Sequence, residues 1–220
     1  MGVFAMKGIT FGNIHSYRDL RLILESKEMG SPAVKVRKVD VEGADGALDY
    51  TDFFGEAKYE NATHKFTFST IVPQEEFLSQ FSQVKNALHG RKVRIILDDD
   101  PTFFYLGRLS VSPFTSSKAV GKLTVEADCE PYKMKISPTV ISVTVNGTKV
   151  ITLPNIRKRA VPEVKIAAES GLNIVYQVGN VWDLSSGTYT LPELELVEGN
   201  NTVTVTGTGT ISFTWQEGEM

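Results

Sequence analysis

Apolar and polar residues alternate along most of this chain, and the period of the pattern changes only once. In residues 64–71 (HKFTFSTI), Phe66 and Phe68 fall on one side and Thr67 on the other, which is the period-two pattern of a strand with one buried face. Residues 34–41 (VKVRKVDV) set Val34, Val36, Val39 and Val41 among charges. The phase slips between Val36 and Val39, so a half-exposed strand with a bulge is predicted there. The exception to alternation is PQEEFLSQFSQVKNALHG, residues 73–90. Phe77, Phe81, Val84 and Leu88 recur at i, i+4, i+7 and i+11, which lines one face of a helix. Pro73 suits the first helical position, Glu75 and Glu76 suit the positive end of the helix dipole, and His89-Gly90 supplies the stop.

Strand patterns resume at residues 92–114 (KVRIILDDDPTFFYLGRLSVSPF), which predict two strands joined by an acidic turn over 98–101. Another strand follows in 117–133, where Val120, Leu123, Val125 and Ala127 mostly alternate. Beyond residue 133 only short strand patterns remain, separated by turn residues. Asn146-Gly147 is a two-residue hairpin signal. Residues 202–206 and 211–215 alternate strictly around a predicted turn at Gly207–Gly209. Many short strands at regular spacing predict a β-sandwich. The expected organisation is two domains, 1–133 and 134–220, both mainly β, the first with one helix.

Bulk properties narrow the function classes. The 220 residues carry a formal charge of −3, with acids and bases spread in near balance. That lacks the concentrated basic face of a nucleic-acid binder and the polybasic patch of a membrane-surface protein. No stretch approaches the roughly 20 apolar residues of a membrane span. The opening MGVFAMKGITF lacks the layout of a signal peptide. The one cysteine, Cys129, allows no internal disulfide and fits folding in a reducing cytosol.

Catalytic and metal chemistry finds no footing. His15, His64 and His89 sit in different predicted elements, and no HExxH, Cys/His cluster or glycine-rich phosphate loop occurs. Cys129 follows an alternating strand and reads as a structural thiol, with no partner base to activate it. Asp98-Asp99-Asp100-Pro101 reads as a solvated turn. A calcium loop starting at Asp40 fails, because Ala44 occupies the third ligand position and Asp45 the required glycine. No enzyme activity, cofactor or metal is expected. Among the aromatics of the second half, Trp215 reads as core, whereas Trp182 lies in the loop-like GNVWDLSSG and is a candidate for stacking on a sugar ring. An alternative function is therefore a carbohydrate-binding module recognising host cell-wall glycans.

Residues 41–68, VEGADGALDYTDFFGEAKYENATHKFTF, join glycines to a run of acids before the Phe66 strand. Physically this is a connector: Gly43 and Gly46 permit tight turns, and Asp45 and Asp49 keep it soluble. The order of segments adds more. GITFGNIHSYRDLRLIL comes first, then this connector, the single helix, a strand pair, DCEPYKM, and a β-rich tail closing on FTWQEGEM. The chain resembles the distal tail protein (Dit) family of long-tailed, non-contractile bacteriophages. Gly43, Gly46, Leu48, Asp49, Tyr59, Glu60 and Asn61 match its glycine-to-Tyr-Glu-Asn segment, and Cys129, Glu130, Pro131 and Tyr132 match its domain-junction segment. The chain departs from the family at Ala62, where an arginine is frequent. The resemblance implies a β-sandwich or split-barrel N-terminal domain with one helix that forms a homo-hexameric ring, and a galectin-like C-terminal β-sandwich. It implies a hub in the virion, assembled in the host bacterial cytoplasm, that joins the tail tube to baseplate, tail-associated lysin and receptor-binding proteins. Nucleic-acid and membrane partners are not implied. The loop bearing Gly43, Asp45, Gly46 and Asp49 would face a neighbour or partner.

Overall fold

The computed structural model describes residues 7–53, 55–117, 120–177 and 179–220. The described residues are mainly β with one α-helix. The chain divides into two compact units, Met1–Lys133 with Met220, and Met134–Glu219.

The first unit contains β1 (Ile9–Phe11), β2 (Ile14–His15), β3 (Leu22–Met29), β4 (Lys38–Asp40), β5 (Ala47–Asp49), β6 (Ala62–Thr70), α1 (Phe77–Leu88), β7 (Lys92–Leu97), β8 (Asp100–Val111), β9 (Thr115–Ser116) and β10 (Gly121–Cys129). Its main sheet runs β2-β1-β7-β8-β10-β6-β3, with β9 on β10. Neighbouring strands are antiparallel. Alternation in β6 and β10 buries Phe66, Phe68, Leu123, Val125 and Ala127 on one face. Phe11 meets Phe66 and Phe68 edge-on at 5.9 and 6.3 Å. Each fully buried phenylalanine contributes about 1.5–3 kcal/mol relative to exposure.

Helix α1 covers this core with Val84 and Leu88, and its buried Phe77 meets Phe114 edge-on at 5.9 Å. Its fourth buried residue is Gln80, whereas Phe81 is only half-buried. Gln80 is tolerated because its carboxamide donates to the carbonyls of Leu20 (2.7 Å) and Arg21 (3.2 Å). Pro73 caps a short 3-10 turn, Gln74–Glu76, instead of opening the α-helix. The stop falls where expected, with His89 extended and Gly90 at φ 79°. The acidic turn is shorter than predicted. Leu97 pairs with Asp100, leaving Asp98-Asp99 as the turn and Pro101 near the start of β8, where proline is tolerated. Of residues 34–41, only Lys38–Asp40 is a strand, and all four valines are exposed.

The second unit begins within β11 (Lys133–Lys135) and continues through β12 (Thr139–Asn155), β13 (Glu163–Ala167), β14 (Leu172–Tyr176), β15 (Asn180–Leu184), β16 (Gly187–Thr190), β17 (Gly199–Trp215) and β18 (Gly218–Glu219). The two turns expected here are absent. Asn146-Gly147 lies inside β12, and Gly207–Gly209 inside β17; the two strands pair without a break from Thr139↔Trp215 to Asn155↔Gly199. Gly147 (φ 88°) stands opposite Gly207 (φ 137°), so the paired strands carry left-handed backbone at the same level. Beyond that level β17 changes its second neighbour. Residues 210–214 pair with β13, and residues 203–207 pair with β14.

The result is two four-stranded halves, β12-β17-β13-β16 and β12-β17-β14-β15, that share one long strand pair. Val164, Ile166, Ile211 and Phe213 from one half join Ile151, Leu153, Ile174 and Val205 from the other in a single core. That is the packing of a sandwich whose strands pass from one sheet to the next. Close approach at the crossing requires glycine. A Cβ at Gly209 would lie 2.5 Å from Ala168 Cβ and 2.7 Å from the Ala167 carbonyl. Glu217 is buried near the end of this unit, where its carboxylate accepts from Lys135 Nζ (2.6 Å) and from the Thr139 hydroxyl.

Candidate functional site

The connector around Gly43 and Gly46 is a projecting two-stranded hairpin. β4 and β5 pair as Lys38↔Asp49, Val39↔Leu48 and Asp40↔Ala47. The turn between them uses Gly43 (φ 82°) and Gly46 (φ 74°), and the Ala44 N–H donates to the Val41 carbonyl (3.1 Å). Among the described residues no atom lies within 4 Å of a Cβ at either glycine, so conformation rather than crowding selects them. Asp45 is exposed in the same turn.

The root of the hairpin is held by hydrogen bonds. Lys35 N–H donates to the Lys58 carbonyl (2.7 Å), Glu60 N–H to the Ala33 carbonyl (2.8 Å), and Tyr50 N–H to the Arg37 carbonyl (2.8 Å). Asp49 Oδ1 accepts from the Thr51 N–H (2.9 Å), and Thr51 Oγ1 accepts from the Arg37 N–H (3.1 Å). The Thr51 hydrogen bonds hold the Asp49 carboxyl below its ordinary range, with Lys38 adding a smaller push in the same direction.

Every residue from 33 to 50 is exposed. Val36 is 60% exposed, Val39 53% and Leu48 53%. Tyr50 and Phe53 meet edge-on at 5.8 Å. Phe54 lies outside the described residues. An isolated two-stranded hairpin is marginal in water. This one presents valine and leucine among carboxylates and lysines, which suits a protein contact more than a reaction. The acids do not converge, and among the described residues no group of three or more His, Cys, Asp or Glu side chains could hold a metal ion. The sequence pattern missed this surface because Val34–Val36 and Val39–Val41 lie in opposite phases and so mark neither face as buried. The slip in phase was the available signal.

The other flagged residues have structural partners. Asp98 Oδ2 accepts from the Gly8 N–H (2.8 Å) and lies 3.1 Å from His15 Nε2. Asp99 is paired with Lys27, whose hydrogen bond holds its carboxyl below the ordinary range. Asp100 is paired with Lys133 (2.8 Å), whose ammonium also sits 4.5 Å from the centre of the Phe103 ring. The acidic turn is therefore an anchoring point, not a merely solvated one, because each carboxylate serves a different neighbour. Burial, followed by Asp128 and Glu130, pushes the Cys129 thiol up to about 12, the opposite of what a nucleophile needs. His64 Nδ1 accepts from the Gly30 N–H (3.1 Å), its ring meets Tyr105 edge-on at 4.6 Å, and burial lowers its pKa. His89 Nδ1 accepts from the Val111 N–H (3.1 Å).

Trp182 is not in a loop. It lies on β15 opposite Ile174, half-buried against the second core, while its neighbours Val181 and Asp183 are exposed. Alternation along VWDL sets Trp182 and Leu184 on the core side.

No family model matches the sequence, and no curated protein matches it. By structure the chain is similar to the crystal structure of Dit (gp 19.1) of phage SPP1, with a TM-score of 0.73 at 13% identity. The likeness covers 98% of this chain and 100% of that one. That protein is described as a paradigm of hub adsorption apparatus in phages infecting Gram-positive bacteria. At this identity the likeness is one of fold: the chain has a Dit-like, mainly β architecture.

Proposed function

We propose that this protein is a structural, non-catalytic hub of a bacteriophage tail tip. In this reading it assembles as a homo-hexameric ring through its first unit. The ring joins the tail tube to baseplate, tail-associated lysin and receptor-binding proteins, and the second unit is a galectin-like β-sandwich. The chain is a virion component assembled in the host bacterial cytoplasm.

The observation that carries the proposal is the Dit-like fold over the full length of the chain. The projecting hairpin adds support. Its exposed Val36, Val39 and Leu48 gain a buried environment only when another chain covers them. Rings built head to tail join two different surfaces of each subunit, and a projecting arm is suited to one of them. Gly43, Asp45 and Gly46 then form the tip that meets the neighbour or partner, and Asp49 fixes the base of the arm.

Immunogold electron microscopy on phage particles that carry this protein tests the role. Antibodies against the chain are expected to label the distal end of the tail. Labelling along the tube, on the capsid, or nowhere on intact particles contradicts the hub.

A further inference from the structure

The outer face of the second unit carries an ordered polar row that no contact described so far uses. Strand register sets Thr148 (β12), Thr206 (β17), Asn173 (β14) and Asp183 (β15) side by side across four strands. Thr148 and Thr206 share a hydroxyl hydrogen bond (3.1 Å), and Asn173 Nδ2 donates to Asp183 Oδ1 (2.7 Å). Two residues further along these strands lies a second row on the same face, Val150, Thr204, Val175 and Val181. Val150 is 64% exposed and Val181 54%. The face thus sets a row of hydrogen-bonding groups beside a row of largely aliphatic ones.

At the polar row the surface opens into a cleft of about 520 Å³, within the ~300–1,000 Å³ of ordinary small-molecule sites. Asn173, Asp183, Thr206, Thr208, Ser170 and Ser185 supply its polar groups. Glycine lets the chains of its wall pack closely: a Cβ at Gly171 would lie 2.8 Å from the Leu184 carbonyl, and one at Gly207 2.8 Å from Leu172 Cδ2.

We propose that this cleft binds a neutral saccharide. The chemistry of the lining selects that class. Among the described residues no lysine or arginine lines the cleft, and Asp183 is the one carboxylate in its lining, so phosphate and carboxylate ligands meet repulsion without a counter-charge. Among the described residues no group of three or more His, Cys, Asp or Glu side chains gathers there or elsewhere to hold a metal ion. The Asn173–Asp183 hydrogen bond holds two acceptors, Asp183 Oδ2 and Asn173 Oδ1, beside the second Asn173 N–H and the threonine hydroxyls. Adjacent hydroxyls of a pyranose present donors and acceptors in the same alternation. The aliphatic C–H face of the ring fits against Leu184, the half-buried aliphatic side chain of the cleft lining. Trp182 points to the opposite, core-facing side of β15 and takes no part. The site stands independently of the hub reading.

Saturation-transfer NMR on the full chain tests the site, with a panel of neutral sugars (glucose, galactose, rhamnose and N-acetylglucosamine, with their disaccharides). Glucuronic acid and glycerol phosphate serve as charged probes. At least one neutral sugar is expected to receive saturation, and the charged probes none. Asp183→Ala and Asn173→Ala are each expected to weaken binding by about ten-fold or more. Asp183→Asn, which keeps the side-chain shape, weakens it less, and Trp182→Phe leaves it unchanged. Both cleft positions are on the surface, so circular dichroism should show all variants folded. The proposal is overturned if no neutral sugar of the panel binds, if a charged probe binds better, or if binding survives Asp183→Ala but not Trp182→Phe.

Discussion

The arm of the first unit and the bend of the second both carry glycine pairs with left-handed backbone, yet they do opposite things. At Gly43 and Gly46 the chain reverses in open solvent, and nothing packs near either residue. At Gly147 and Gly207 the chain keeps its direction, and two long strands pass together from one half of a sandwich to the other. Left-handed backbone states a local need of the chain; whether it becomes a turn depends on what the flanking residues pair with. The flanks of Gly207 and Gly209 are strictly alternating and apolar on one side, so continued pairing into a shared core outweighs reversal. The flanks of Gly43 have no core to reach, and the hairpin remains a short exposed arm.

That contrast can be broken most severely in the second core. Phe213→Ala should destabilise the second unit by about 3–5 kcal/mol, whereas Val39→Asp on the arm should change its stability by less than about 0.5 kcal/mol. Both tryptophans, Trp182 and Trp215, lie in the second unit, so their fluorescence in a denaturant titration reports its unfolding selectively. The glycines come next. Gly209→Ala forces a methyl against Ala168 and should cost about 1–3 kcal/mol in the same assay. Gly46→Ala meets only backbone strain of about 1 kcal/mol, confined to the arm, and should leave the tryptophan transition in place.

A smaller effect separates the first unit from the second by pH. Burial holds the His64 pKa in the folded chain below its ordinary 6.5. The unfolded chain therefore takes up this proton first. His64 contributes stability that is fully present above pH 6.5 and is lost as pH falls from there through the lowered folded value. Protection factors of the β6 and β10 amides, taken against the intrinsic exchange rate at each pH, should fall across that window, and His64→Gln should flatten the dependence. The smallest effect is chemical. The Cys129 thiol, pushed up to about 12, should resist iodoacetamide at neutral pH until the first unit unfolds. Prompt labelling of the folded chain would place that thiol outside the core.

Where one local pattern decided the outcome, the sequence was legible. The i, i+4, i+7 spacing predicted α1, period-two alternation predicted β6 and β10, and Trp215 lies in the core its pattern implied. The mainly β class follows from the same patterns. Elements set by partners distant in sequence were not legible. Asn146-Gly147 carries a strong hairpin signal, but its strand pairs with a 17-residue mate that sets Gly147 opposite the distant Gly207. Trp182 looked loop-like because its alternation is short and flanked by glycines, and only the register with Ile174 reveals its face. The cleft at Asn173 and Asp183 depends on cross-strand register throughout. On the arm, the glycines and acids were visible in the sequence, but the exposure of Val36, Val39 and Leu48 could be seen only in three dimensions.

Mass in solution tests the central claim most directly: that the chain is a ring subunit whose arm engages its neighbour. Light scattering behind a sizing column should give a hexamer for the unaltered chain. Val39→Asp together with Leu48→Asp should shift it to smaller species while leaving the tryptophan unfolding transition unchanged. A monomer at every concentration, or a ring indifferent to both substitutions, would contradict the account.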